Sequence, residues 1–121
     1  MLYHLALAAD WEQARHAGEY RISTLGTSLE QEAFIHTSWP HQLAGVAERF
    51  YADVTEPLVL LEIEETALDV PWRVDPVPGS AEGFPHVYGP IPVAAVRAAV
   101  PVRRGPGGSW PPMPGGLPGP V

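Results

Sequence analysis

Leu58-Val59-Leu60-Leu61-Glu62-Ile63, entered through Pro57, is the stretch on which the fold turns. An almost unbroken run of Leu, Val and Ile predicts a core β-strand, and proline suits the first position of a strand because it withholds a ladder donor. Upstream, Leu2 to Leu7 is a second apolar run. Read as extended chain, it puts Leu2, His4 and Ala6 on one side and Tyr3, Leu5 and Leu7 on the other. Asp10, three residues before Gln13, has the spacing of a capping box, and Gly18 sits where a helix end favours φ > 0, which predicts a helix over 11–17. Phe34-Ile35-His36-Thr37-Ser38 is rich in β-branched and aromatic residues and stops at Pro40, so a strand is predicted there. A second helix follows, because Leu43, Val46, Ala47 and Phe50 recur at i, i+3, i+4 and i+7 and form one apolar stripe. Shorter strands are expected at 72–74, 88–91 and 98–102, with a helical turn over 93–97. The sum is an α+β domain: a curved, mostly antiparallel sheet with two short helices.

Composition bounds the function. The chain has 121 residues, 45% of them hydrophobic and 17% charged, which suits one core. Residues 1–102 are expected to form it. From Arg103 to Val121 proline and glycine dominate, and a disordered or polyproline-like tail is expected. That tail reads either as a tolerated extension or as a ligand for an aromatic-lined groove on a partner protein. There is no cysteine, which excludes a disulfide framework, a thiolate metal site and a cysteine nucleophile, and suits a reducing compartment. Every basic residue is an arginine, so Schiff-base chemistry and the lysine of a phosphate-binding loop are excluded. Before residue 101, five arginines stand against all fourteen acids, leaving nine negative charges uncompensated. Such a surface repels duplex nucleic acid, whose affinity comes from phosphate neutralisation. A small anion stays allowed, because one arginine can hold one phosphate locally. With neither a basic, apolar leader nor a run of about 20 apolar residues, a cytoplasmic location without a membrane anchor is expected.

Histidines carry the chemistry. His4, His36 and His86 lie in strand-like segments, where a solvated histidine is not the default. Extended geometry puts His36 on one face with Phe34 and Ser38, and His86 with Phe84 and Tyr88. Polar groups framed by aromatics are how ligand pockets are built. Each has a plainer reading: His4 as a core histidine, Ser38 as a cap of the second helix, Tyr88 as a tyrosine stabilising the turn at Gly89-Pro90. No metal is assigned, because His36 and His41 straddle Pro40 and no HxH or HExxH is present. A serine hydrolase is disfavoured: Ser38 has no separate base and acid near it, and Gly26 to Glu30 lacks the last glycine of a nucleophile elbow. The glutamates at 62, 64 and 65 read as the solvated end of a core strand rather than as paired glycosidase carboxylates.

Tyr3-His4-Leu5, Phe34-Ile35-His36-Thr37-Ser38, Val46-Ala47-Glu48-Arg49-Phe50-Tyr51 and Phe84-Pro85-His86-Val87-Tyr88-Gly89-Pro90 together resemble the bacterial family called domain of unknown function 952. The resemblance spans nearly all of residues 2–102 and leaves the tail outside. It implies a fold similar to the ADP-ribosyltransferases, a split β-sheet that in related superfamilies holds NAD in a cleft. In those transferases a first-strand His or Arg contacts the nicotinamide-side ribose, a second-strand Ser or Tyr shapes the nicotinamide pocket, and a late Glu polarises ribose or acceptor. His4 matches the first position, and Ser38, or His36 beside it, the second. The third departs: His86 and Tyr88 stand where an acid is expected, with Glu82 upstream in a turn. The departure bears on mechanism, since a carboxylate stabilises an oxocarbenium ion and a cationic imidazole opposes it, whereas imidazole suits general acid or base work near neutrality. Arg21 is the candidate phosphate contact, against its reading as a surface ion pair.

The expectation is a small enzyme-like domain that binds a nucleotide or similar anionic small molecule, NAD among them, in a cleft lined by His4, His36, Ser38, His86 and Tyr88, with Phe34 and Arg21 also binding. His4, His36 and His86 are the expected acid/base groups. The alternative is a non-catalytic binding or accessory module that keeps the cleft without the transferase glutamate.

Overall fold

The computed structural model describes residues 1–112. In chain order its elements are β1 (Leu2–Leu7), α1 (Ala8–Ala17), β2 (Glu19–Tyr20), β3 (Ile22–Thr24), β4 (Thr27–Ser28), α2 (Leu29–Glu32), β5 (Ile35–His36), α3 (Leu43–Phe50), β6 (Leu58–Ile63), β7 (Trp72–Asp75), β8 (Phe84–Val87), β9 (Ile91–Pro92) and β10 (Val96–Val102). All the strand pairs among the described residues are antiparallel. The architecture is α+β with short helices.

Two three-stranded sheets organise the chain, one ordered β1-β6-β10 and the other β5-β8-β7. They meet where Tyr3 and Ser38 exchange backbone bonds of 2.9 and 2.8 Å. β6 is apolar except at Glu62 because both of its faces are covered. Val59, Leu61 and Ile63 face one cluster with Leu2, Ala6, Tyr20, Ile35 and Val87. Leu58 and Leu60 face another with Tyr3, Leu5, Leu43, Val46 and Tyr51. A strand buried on one face alone would alternate with polar residues.

Several boundaries differ from the sequence expectation. α1 starts at Ala8, not after Asp10: the chain turns straight out of β1, and no side chain caps the helix. Gly18 closes it as expected, at φ 91°. Ser28 and Gln31 form a capping box on α2, a helix absent from the two expected. Its end is Ala33 in the left-handed region, φ 79°, a conformation that costs a residue with a Cβ about 1 kcal/mol. α3 runs as expected, yet Phe50 leaves the apolar stripe and is 48% exposed. The expected strand over 88–91 divides into β8, ending at Val87, and β9. Ser38 does not cap the second helix; the turn at Pro40–Gln42 takes that place, with the Gln42 side chain accepting from Trp39 N–H at 2.9 Å.

The segment from Arg103 to Pro112, expected to belong to a disordered tail, lies against the domain. Arg104 donates to the Ala52 carbonyl at 2.9 Å and stacks over Trp110, which packs beside the second cluster. Composition misses this because one arginine and one tryptophan make the attachment. The rest of the tail lies outside the described residues. No helix among the described residues is long and apolar enough to cross a membrane.

Candidate functional site

β8 is held so that its side chains are placed closely. A Cβ on Gly83 would lie 2.7 Å from Val74 Cγ1, and one on Gly89 2.6 Å from Val70 Cγ1. Glycine at both ends of Phe84-Pro85-His86-Val87-Tyr88 therefore lets the backbone approach its neighbours. Thr37 extends the β5 edge, giving both its N–H (3.1 Å) and its hydroxyl (2.7 Å) to the Pro85 carbonyl.

In this register His36 stands directly opposite His86, and His86 opposite Arg73. Side chains at period two share a face, so the row continues to Phe34, Phe84, Asp75 and Tyr88. The other face, with Ile35, Val87 and Trp72, packs on the first core cluster. Phe34 lies flat on His86, ring centres 4.0 Å apart and planes 9° from parallel.

The hydrogen bonds fix the tautomers. Asp75 can only accept while ionised, so His86 Nδ1–H donates to its Oδ2 at 2.9 Å, and the Tyr88 hydroxyl donates to the same oxygen. In neutral His86 the Nε2 lone pair then accepts from His36 Nδ1–H at 3.0 Å. His36 Nε2 is left with its lone pair and without a partner, although the atom is buried. The Tyr88 hydroxyl above all, helped by His86 and the Arg73 guanidinium, holds the Asp75 carboxyl below the usual carboxylate range. Burial, reinforced by His86 and His4, pulls the His36 imidazole down to about 4, so that it is neutral at pH 7.

His4 stands behind this row. Its Nδ1–H donates to the His36 carbonyl at 2.6 Å and its Nε2 accepts from the Tyr20 hydroxyl at 2.9 Å. Burial pulls it to about 4. With both nitrogens engaged inside the protein, His4 meets its core-histidine reading while fixing the backbone of His36.

Structure thus brings Phe34, His36, His86 and Tyr88 together, with His4 touching the His36 backbone. Ser38 is buried two residues on, where its backbone bridges to Tyr3. Arg21 stands apart, in an exposed ion pair with Glu19 and Glu30, so its side chain is neutralised by acids rather than turned to the histidines. Sequence reasoning missed Asp75, Arg73 and Tyr20. A signal for the first two existed: in Trp72-Arg73-Val74-Asp75 the charged residues alternate with apolar ones, as on a strand with one wet face. Nothing local announced Tyr20, which reaches His4 from β2.

Two hollows of about 260 Å³ each border the row, and His36 and Phe50 line both. One is bounded also by His41, Gln42, Arg49, Gly79, Ser80 and Glu82. The other is mostly apolar, with Phe34, Pro76, Val77 and Pro78. Among the described residues no three His, Asp or Glu side chains converge to hold a metal ion.

No curated protein matches the chain. Among solved structures it is similar to the crystal structure of protein CC0527 from Caulobacter crescentus, with TM-score 0.68 and 22% identity over 91% of this chain and 92% of that one. The solution NMR structure of CC0527 gives 0.67 and 27% over 93% and 90%. These likenesses show a shared fold. Residues 5–99 match the family described as protein of unknown function (DUF952), and the chain belongs to that family.

Proposed function

We propose that this chain is a small enzyme-like domain that binds an anionic small molecule over the His36–His86 row and moves a proton through it. The observation that carries the reading is His36 Nε2, a buried imidazole nitrogen with a free lone pair at the end of the Asp75–His86–His36 chain. A buried polar atom without a partner costs about 1–3 kcal/mol, and a ligand proton in the adjoining hollows would offset that cost.

The relay follows from the tautomers. When His36 Nε2 takes a proton from a ligand, the Nδ1 proton of His36 passes to His86 Nε2. His36 is then neutral again, and the positive charge rests on His86 beside the Asp75 carboxylate. Burial above all makes His36 a weak base. Passing the charge on places it beside a carboxylate, with His86 Nδ1 2.9 Å from Asp75 Oδ2. Run backwards, the same row donates a proton. His4 acts here as a positioning residue, and Ser38 as part of the bridge that aligns the two sheets.

The more specific form implied by the family resemblance is an ADP-ribosyltransferase-like enzyme with NAD as donor. Asp75 supplies a carboxylate to the row, but it sits behind His86 and is occupied by two donors. Acid/base work on the ligand therefore ranks ahead of oxocarbenium stabilisation.

The test is incubation of the chain with NAD and a nucleotide panel, products read by mass spectrometry, with His36→Gln and His86→Asn alongside and thermal unfolding confirming that each folds. Turnover in the wild type, reduced about a hundredfold or more in both variants, is the expected result. Saturable binding without turnover would make the domain a binding module. Turnover unchanged in His36→Gln would remove the proton-transfer role.

A further inference from the structure

Arg21 and Arg49 have opposite surroundings. The Arg21 guanidinium is matched by Glu19 and Glu30. Arg49, exposed in the last turn of α3, makes no ion pair among the described residues and lies in the wall of the first hollow beside Gly79 and Ser80. The carboxylate facing that hollow, Glu82, is already taken: His41 Nε2–H donates to it at 2.7 Å and Gln42 Nε2–H at 3.1 Å. These bonds hold Glu82 below the usual carboxylate range. The first hollow thus has a guanidinium without an ion pair and an acid whose oxygens are already hydrogen-bonded, so that Arg49 is the group in it with donors left to offer.

The second hollow has the complementary character. Proline, valine and phenylalanine line it, with Thr24 and Glu32 at its polar edge. Phe34 covers His86 there, and Phe50, 48% exposed, reaches both hollows. An exposed phenylalanine at the end of an otherwise buried helix stripe is costly to leave in water. At about 260 Å³ each, the hollows fall just below the usual size of a ligand site, and either alone accommodates one moiety rather than a large cofactor.

We propose that the two hollows receive the two ends of one ligand: an oxyanion, phosphate or carboxylate, on Arg49 and a flat apolar ring against Phe50 and Phe34, with the linkage between them lying across His36. This deepens the proton-transfer reading by naming its substrate class, and it rests on that reading only for the place of the reacting atom. Arg49 takes the phosphate-contact role expected of Arg21, because a guanidinium free of carboxylates can bind an oxyanion through two donors.

The test is equilibrium binding by calorimetry on the full chain, which needs no turnover. Adenosine monophosphate and nicotinate present a ring with a phosphate or a carboxylate, adenosine the ring alone, and inorganic phosphate the anion alone. The ringed anions should bind roughly tenfold or more tightly than adenosine or phosphate. Arg49→Gln should bring the better ringed anion down to the level of its neutral part, while Phe50→Ala, which also removes the ring that the Arg49 guanidinium overlies at 5.2 Å, should weaken ringed ligands more than phosphate. Both side chains are exposed, and unchanged thermal unfolding will confirm the folds. A gain of adenosine monophosphate over adenosine assigns a phosphate, and a gain of nicotinate over nicotinamide, its neutral amide, assigns a carboxylate. Equal affinity for adenosine and its monophosphate with nicotinate silent, full affinity in Arg49→Gln, or no binding of any probe would overturn the bipartite site. Binding as expected, with turnover indifferent to His36→Gln, would keep this inference and remove the proton-transfer reading.

Discussion

The two sheets use the same antiparallel pairing for different ends. In β1-β6-β10 the central strand is aliphatic on both faces and separates two apolar clusters. In β5-β8-β7 one face is aliphatic, and the other carries His36, His86, Arg73 and Asp75 framed by phenylalanine and tyrosine. The first sheet supplies the stability that lets the second hold its imidazoles out of water. His4 joins them: it projects from a strand of the first sheet, directly opposite Leu61, and bonds to the backbone of the second.

The stabilising sheet is most vulnerable at Leu61, fully buried in the middle of β6. Leu61→Ala removes a side chain that both neighbouring strands pack on and should cost about 3 kcal/mol or more, read as a shift of the urea midpoint. A loss below about 1 kcal/mol would contradict the central role of that sheet.

Lowering pH probes the second sheet without mutation. His4 and His36 each hold a folded value of about 4 against 6.5 for the free side chain. Between those values the unfolded chain binds protons that the folded one refuses. Stability is therefore full above about pH 6.5 and falls as pH drops towards 4. The fully buried His4 alone accounts for about 3 kcal/mol of the fall. Thermal unfolding at pH 7 and pH 4.5 measures it, and a flat profile would mean that the two rings are not held neutral.

The link between the sheets can be loosened at Tyr20. Tyr20→Phe keeps the ring and removes the donor to His4 Nε2, leaving a buried acceptor without a partner at a cost of about 2 kcal/mol. Chemical denaturation reads the loss, and the ring resonances of His4 should shift while those of Tyr51 stay put. The smallest change is a gain. Ala33→Gly relieves the left-handed alanine ahead of β5 and should stabilise by roughly 0.5–1 kcal/mol, less the entropy glycine adds to the unfolded chain. A lower melting temperature would show that the Ala33 methyl contributes packing worth more than the strain.

Hydrophobic pattern is a local property, and the residues that carry it settled the fold class, β1, α3 and β6 from the sequence. The same periodicity put His36 and His86 each on a face with its aromatic neighbours. What alternation cannot convey is which strands lie side by side. That β5 pairs with β8 in a register setting His36 against His86 is a long-range choice, and so is the closure of the row by Asp75 from β7. Arg21 and Arg49 are alike in sequence as lone basic residues among acids; only their neighbours in space make one an ion pair and leave the other facing a hollow. Residue types and their period declared the candidates. Burial, register and the matching of charge across the fold decided which of them meet, because those depend on the whole chain being packed at once.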